Sequence, residues 1–245
     1  MPDLQSIPSR QSIPSRLGDV PAYVARPAGP GPWPGVVVIH DVVGMSADLT
    51  AHADWFARNG YLAVAPDLFH WDSKFKCIRT TMKEMLARKG RSFDDIEACR
   101  TWLQAQPDCT DKVGVIGFCM GGAFALLLAP RGDYAAAAPN YGNVPNDAAT
   151  LLEGACPVVA SYGRKDPVLR GAAAKLEVAL TANGVPHDVK EYEDANHGFL
   201  NDHAPGDIRL PFSILKKIMG MVHHGPSAED ARRRILDFFG VYLKD

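Results

Sequence analysis

Apolar and polar positions along the chain alternate between two patterns. Val36-Val37-Val38-Ile39 and Leu62-Ala63-Val64-Ala65 are continuous runs of small or β-branched residues, short enough to be strands buried on both faces. Between them, Ala47–Arg58 carries the spacing of an amphipathic helix that ends at Gly60. The second run stops at Pro66-Asp67, and helical spacing returns over 76–88 and 93–105. A third apolar run covers 113–116, and later strands are predicted at 135–138, 158–162 and 189–192. Helices over 148–152 and 171–183 separate these strands, and an amphipathic helix over 228–243 closes the chain. Residues 22–26 read as an edge strand. Alternating strands and helices of this length predict an α/β fold, with a mainly parallel sheet of about eight strands covered by helices on both faces.

Two stretches break the rhythm. The hexapeptide Gln-Ser-Ile-Pro-Ser-Arg is written twice in tandem, at 5–10 and 11–16. Only one copy can occupy a given strand register, and Pro8 and Pro14 exclude a central strand, so residues 1–16 read as a tail or an edge hairpin. Residues 17–245 read as one domain without an internal linker. The segment 202–224 carries Pro205 and Pro211 ahead of an apolar pattern, and reads either as a lid or as a helix packed on the core.

Composition narrows the function classes. With 47% apolar and 22% charged residues, the 245-residue chain can bury a substantial core. Its net charge of -2 argues against broad nucleic-acid binding. No stretch has the length of a membrane-spanning helix, and the N-terminus lacks a signal-peptide layout, so a cytoplasmic protein is expected. Cys77, Cys99, Cys109, Cys119 and Cys156 are an odd, scattered set without a CxxC pair, which suits reduced thiols better than disulfides or a zinc site.

One of these cysteines sits in a distinctive place. Gly117-Phe118-Cys119-Met120-Gly121-Gly122 joins the 113–116 strand to a helix-forming stretch, as a nucleophile elbow does, with sulfur in place of oxygen. Glycines beside the nucleophile allow a sharp, strained turn that lifts its side chain clear of the backbone. In α/β-hydrolase arrangements the nucleophile, acid and histidine follow one another along the chain, each on a loop after a strand. Asp166 follows the 158–162 strand and His197 follows the 189–192 strand, so Cys119, Asp166 and His197 form the candidate triad. A free thiol is mostly protonated at neutral pH; His197 would take its proton, and Asp166 would orient the ring and favour its charged form. The backbone amides of Met120 and Val42, the latter in the loop after the 36–39 strand, are the candidate oxyanion donors.

The competing readings are structural. A buried cysteine is often just a small hydrophobe, and Asp166 has the position of a helix cap. Asp188 and Asp194 are the spare acids. His203, His223 and His224 lack the spacing of a metal site and are expected to be solvated or at a helix end, so neither metal nor cofactor is expected. The turn carries Cys119 where a dinucleotide-binding loop requires glycine. Phe118, Tyr141, Phe199 and Trp71 are candidates for an aromatic cleft, although each also suits core packing.

From residue 22 onward the chain resembles the dienelactone hydrolase family of cysteine-nucleophile α/β-hydrolases. The resemblance rests on Gly117 to Gly122, Arg164-Lys165-Asp166, Asn196-His197-Gly198-Phe199 and Ala65-Pro66-Asp67-Leu68. It implies the α/β-hydrolase fold and a carboxylic ester hydrolase (EC 3.1.1). That enzyme would open a small ester or lactone through an acyl-cysteine intermediate, without a cofactor, as a monomer or small homo-oligomer. Two positions depart from the family. Asp41 stands where well-known members carry a glutamate that helps activate the thiol, which makes it the candidate activating carboxylate. Asn201 stands where they carry an arginine for the substrate carboxylate, and Arg79 is a candidate replacement. An acyltransferase, or a ligand-binding scaffold without catalysis, is the alternative class.

Overall fold

The computed structural model describes residues 4–204 and 221–244. Its strands are β1 (Ser6–Ile13), β2 (Val20–Pro27), β3 (Trp33–Ile39), β4 (Leu62–Pro66), β5 (Cys109–Phe118), β6 (Ala136–Asn140), β7 (Val158–Gly163) and β8 (His187–Tyr192). The helices are α1 (Ala47–Arg58), α2 (Lys74–Ala87), α3 (Arg91–Gln104), α4 (Met120–Leu128), α5 (Ala148–Leu151), α6 (Ala172–Ala182) and α7 (Gly225–Phe239). The strands form one sheet in the order β1-β2-β4-β3-β5-β6-β7-β8. The β1–β2 and β2–β4 pairings are antiparallel and the rest are parallel, giving an α/β-hydrolase fold.

Strand composition explains the burial. Every residue of β4, β6 and β7 is buried, as in a sheet covered on both faces. The faces are distinguished by two glycines. A Cβ on Gly35 would meet Val113 and Leu103 of α3, whereas one on Gly114, adjacent to Val113, would meet Phe239 of α7 and Leu243. Successive strand residues point to opposite faces, so α3 and α7 cover opposite sides. On one side Phe56 of α1 stacks on Phe239, and on the other Phe93 of α3 packs against Phe124 of α4.

The duplicated hexapeptide forms the sheet's outer edge. β1 pairs along the whole of β2, so the strand expected at the edge is interior instead. Pro8 is tolerated because an outermost strand has one unpaired side. Ile7 and Ile13 are equivalent in the two copies and six residues apart, hence on one face, but Ile7 is 54% exposed and Ile13 only 1%. The second copy therefore makes the core contact. β5 begins at Cys109, earlier than the apolar run suggests, because its first residues are polar and half-exposed.

The closing helix begins at Gly225 and passes after Phe239 into a π-helical turn. Pro226 sits in its first turn, where no amide hydrogen is needed, and His224 caps it by accepting from the Ser227 amide. The lid-or-helix expectation for 202–224 falls largely on residues 205–220, outside the described residues. Because β3, β5, β6, β7 and β8 run parallel, the loops after Ile39, Phe118, Asn140, Gly163 and Tyr192 all emerge at one end of the sheet.

Candidate active site

Those loops bring the predicted residues together. Cys119 occupies the turn between β5 and α4 with φ 54° and ψ -110°, a strained conformation for a residue with a side chain. The glycines around it are dictated by backbone contact rather than by the turn alone. A Cβ on Gly121 would lie 2.3 Å from the carbonyl oxygen of Ile39, and one on Gly122 would lie 2.3 Å from that of Asn140. α4 is thus seated directly on the ends of β3 and β6, with Cys119 at its start.

Asp166 does not cap the following helix, whose N-cap is Gly171; its two oxygens have separate partners. Its Oδ1 accepts from the Val168 and Leu169 amides at 2.8 and 3.2 Å, which fixes the loop. Its Oδ2 lies 2.6 Å from Nδ1 of His197. Both side chains are buried. Burial disfavours the charged imidazole, but Asp166 and Cys119 outweigh it and push the His197 pKa up to about 10. Nε2 of His197 is buried without a hydrogen-bond partner among the described residues, so this nitrogen is available to a reacting group. The spare acids are occupied elsewhere: Asp188 holds Arg234 of α7, and Asp194 holds Lys165 at the surface.

Cys119 and His197 line a cavity of about 230 Å³, together with Val42, Met120 and Tyr141. Larger open grooves exist, such as one of about 510 Å³ beside α6 and β8, but it is lined by none of the triad candidates. Among the aromatic candidates, Tyr141 lines the cavity and packs edge-on to His197, with ring centroids 5.3 Å apart. Phe118 and Phe199 are core residues, and Trp71 packs with Arg91. Arg79 is exposed and does not line the cavity. Met82 and Met85 of α2, with Val168 and Leu169, complete the apolar wall. Their i, i+3 spacing was the available signal for the two methionines.

A second buried cluster stands behind this cavity. Asp41 does not line it; its Oδ1 accepts from the Val43 amide at 2.7 Å, and its Oδ2 lies 2.7 Å from Nε2 of His203. The expectation that His203 is solvated or at a helix end is therefore corrected, since its side chain is 4% exposed and bound to a carboxylate. His224 does sit at a helix end. Asn201 donates to Asp48 at 2.6 Å and accepts from the Tyr141 hydroxyl at 2.5 Å. Burial works against the Asp48 carboxylate, but His52, Asn201, the Asp202 amide and His203 hold its pKa below the usual range. Burial lowers the His52 pKa to about 4, so that ring is neutral at neutral pH. The contacts of Asn201 and His203 join residues far apart in the chain, and no local spacing announces them.

Residues 20–243 match the model of the dienelactone hydrolase family. The chain belongs to the dienelactone hydrolase family. It is a hydrolase of that type. A Salmonella typhimurium protein named "Putative carboxymethylenebutenolidase" is 29% identical over 250 residues, spanning 94% of this chain and 86% of that protein. The Pseudomonas putida carboxymethylenebutenolidase is 27% identical over 195 residues, or 76% of this chain and 82% of that one. The crystal structure titled "Putative Dienelactone Hydrolase" from Klebsiella pneumoniae superposes with a TM-score of 0.78 at 26% identity, covering 97% of this chain and 99% of that one.

Proposed function

We propose that the chain hydrolyses small carboxylic esters or lactones with Cys119 as nucleophile, His197 as proton carrier and Asp166 as the group that orients it. The observation carrying this reading is the position of His197. Nδ1 is held by Asp166 at 2.6 Å, while Nε2, without a hydrogen-bond partner among the described residues, belongs to the same cavity as the half-buried Cys119. A charged imidazole, favoured by its raised pKa, stabilises a neighbouring thiolate.

In this mechanism the Cys119 sulfur attacks the substrate carbonyl, forming a C–S bond as the carbonyl electron pair moves to oxygen. The amides of Met120 and Val42, both beside the cavity, are the proposed donors to that oxyanion. Collapse breaks the bond to the alkoxy group, which takes the proton carried by His197, and leaves an acyl-cysteine. Water then adds to the thioester while His197 accepts its proton, releasing the acid and regenerating the thiol pair. In a lactone the alkoxy group stays tethered, and the product is one hydroxy acid.

Cys99, Cys109 and Cys156 suit a bystander role: burial pushes Cys109 and Cys156 up to about 12 and Cys99 higher still. Five cysteines without a disulfide fit a reducing, cytoplasmic setting. The test is hydrolysis of a short activated aryl ester by wild type and Cys119→Ala, with intact-mass analysis. Cysteine-dependent turnover and an acyl adduct at Cys119 are expected, and turnover that survives Cys119→Ala would overturn the mechanism.

A further inference from the structure

We infer that the catalytic cavity selects substrates whose acyl part is neutral and apolar, and discriminates against acyl parts that carry a carboxylate. The inference rests on the Cys119 reading above and concerns what that site accepts.

The cavity wall is the first observation. Apart from Cys119 and His197, its lining consists of aliphatic and thioether side chains plus Tyr141 and Asn143, and among the described residues no lysine or arginine reaches it. The apolar surface continues outward. Met82 and Val168 line the cavity and are 37% and 57% exposed, and Leu86, one turn beyond Met82 on α2, is exposed as well. At about 30 Å³ for each water-sized group, 230 Å³ holds roughly seven such groups. That accommodates a short acyl chain with its ester oxygens, and a longer chain would extend onto the rim.

The second observation concerns polar groups near the wall. The Tyr141 hydroxyl donates to Asn201, whose amide donates onward to Asp48. Lys74 donates to the carbonyl oxygen of Val43 at 2.6 Å, and Arg232 to that of Leu200 at 3.2 Å. Two buried carboxylates, Asp41 and Asp48, stand behind this wall, and after burial itself they are the leading causes that raise the Tyr141 pKa. A carboxylate entering the cavity loses its hydration, meets no lysine or arginine among the described lining residues, finds the His197 imidazolium already paired with Asp166 and Cys119, and approaches this negative ground. A hydrocarbon chain of the same length loses nothing by entering.

The test uses two esters with one leaving group, 4-nitrophenyl hexanoate and the mono-4-nitrophenyl ester of adipic acid, each corrected for its uncatalysed rate. Wild type is expected to favour the hexanoate by at least tenfold in kcat/KM. Met82→Arg, which puts a guanidinium at the partly exposed rim, is expected to raise the adipate-to-hexanoate ratio severalfold. Equal or preferential turnover of the adipate ester by wild type would overturn the inference. If neither ester is turned over, the Cys119 mechanism falls, and the inference is then read from binding. Thermal-shift titration of Cys119→Ala with hexanamide and with the monoamide of adipic acid separates the outcomes: stabilisation by the neutral amide supports it, and stabilisation by the anionic one overturns it.

Discussion

Nε2 of His203 lies 2.7 Å from Oδ2 of Asp41, joining the segment after the proposed catalytic histidine to the loop that carries the proposed oxyanion amide. The other oxygen of Asp41 accepts from the Val43 amide, so one buried carboxylate spans both segments. Asp41 is thereby committed to holding the loop after β3. Five residues lie between His197 and His203, and Asn201 among them grips Tyr141, which packs against the His197 ring. Both walls of the cavity are therefore tied to one short stretch of chain.

His203→Ala should move the Val42 amide without touching the substrate. Kcat is expected to fall about tenfold with little change in KM, short of the 10²–10³ lost when an oxyanion donor is removed outright. His203→Gln, which retains a donor, should recover part of the loss. Because His203→Ala leaves a buried carboxylate short of a partner, unfolding should also become easier by about 3 kcal/mol. Unchanged kcat in a folded His203→Ala protein would reject the strut.

The apparently redundant acids make separate predictions. Asp166→Asn should cost at least 10² in kcat, because it removes the charge that orients and stabilises the His197 imidazolium. Asp188→Asn loosens the Arg234 contact that ties α7 to β8, and should lower stability by about 1 kcal/mol while leaving kcat and KM alone. Steady-state kinetics beside urea unfolding would read both effects, and an activity loss in the Asp188 variant would contradict the assignment.

Much of this arrangement is legible in the sequence because its determinants are local. Val36 to Ile39 reads as a central strand because burial on both faces demands an uninterrupted apolar run. Cys119 reads as an elbow because the backbone around it tolerates only glycine at fixed offsets. The start of α7 is hidden by Gly225-Pro226, which looks like a break yet suits a first turn. β1 is obscured by Pro8 within it, by Pro14 just after it, and by a repeat in which Ile13 rather than Ile7 meets the core. His203 was illegible for a deeper reason. Its partner Asp41 is 162 residues away, and only the closed sheet brings the two loops together.

Gly121 offers a test of the elbow's seating. In Gly121→Ala the added carbon would lie 2.3 Å from the Ile39 oxygen and 2.7 Å from the His40 oxygen, both backbone atoms unable to swing aside. Relief requires α4 to lift from β3, displacing Cys119 and the Val42 loop together. A loss of about 3 kcal/mol is expected, which at this chain length corresponds to a fall of roughly 6–12 °C in Tm. Gly240→Ala, facing open space in a helical conformation, should be neutral or slightly stabilising. A Gly121→Ala protein with wild-type Tm and turnover would mean that the close contact is not a constraint.

The charge on His197 gives stability a pH dependence of known sign. Its pKa is raised to about 10 in the fold, against about 6.5 for an unfolded histidine, so the folded state holds this proton more tightly. The resulting stabilisation is complete below about pH 6.5 and is lost as pH rises toward and through 10. The Tm advantage of wild type over His197→Gln should therefore shrink across that interval. Cys119→Ala removes one of the two partners that raise the ring's pKa, so the imidazole resonances of that variant should titrate at lower pH by NMR. The kinetic counterpart is a fall in ester turnover at high pH, as the leaving group loses its proton donor. A His197 that titrates near 6.5 in the wild-type fold would show that Asp166 and Cys119 do not stabilise the charged ring, and the thiolate–imidazolium pair would have to be abandoned.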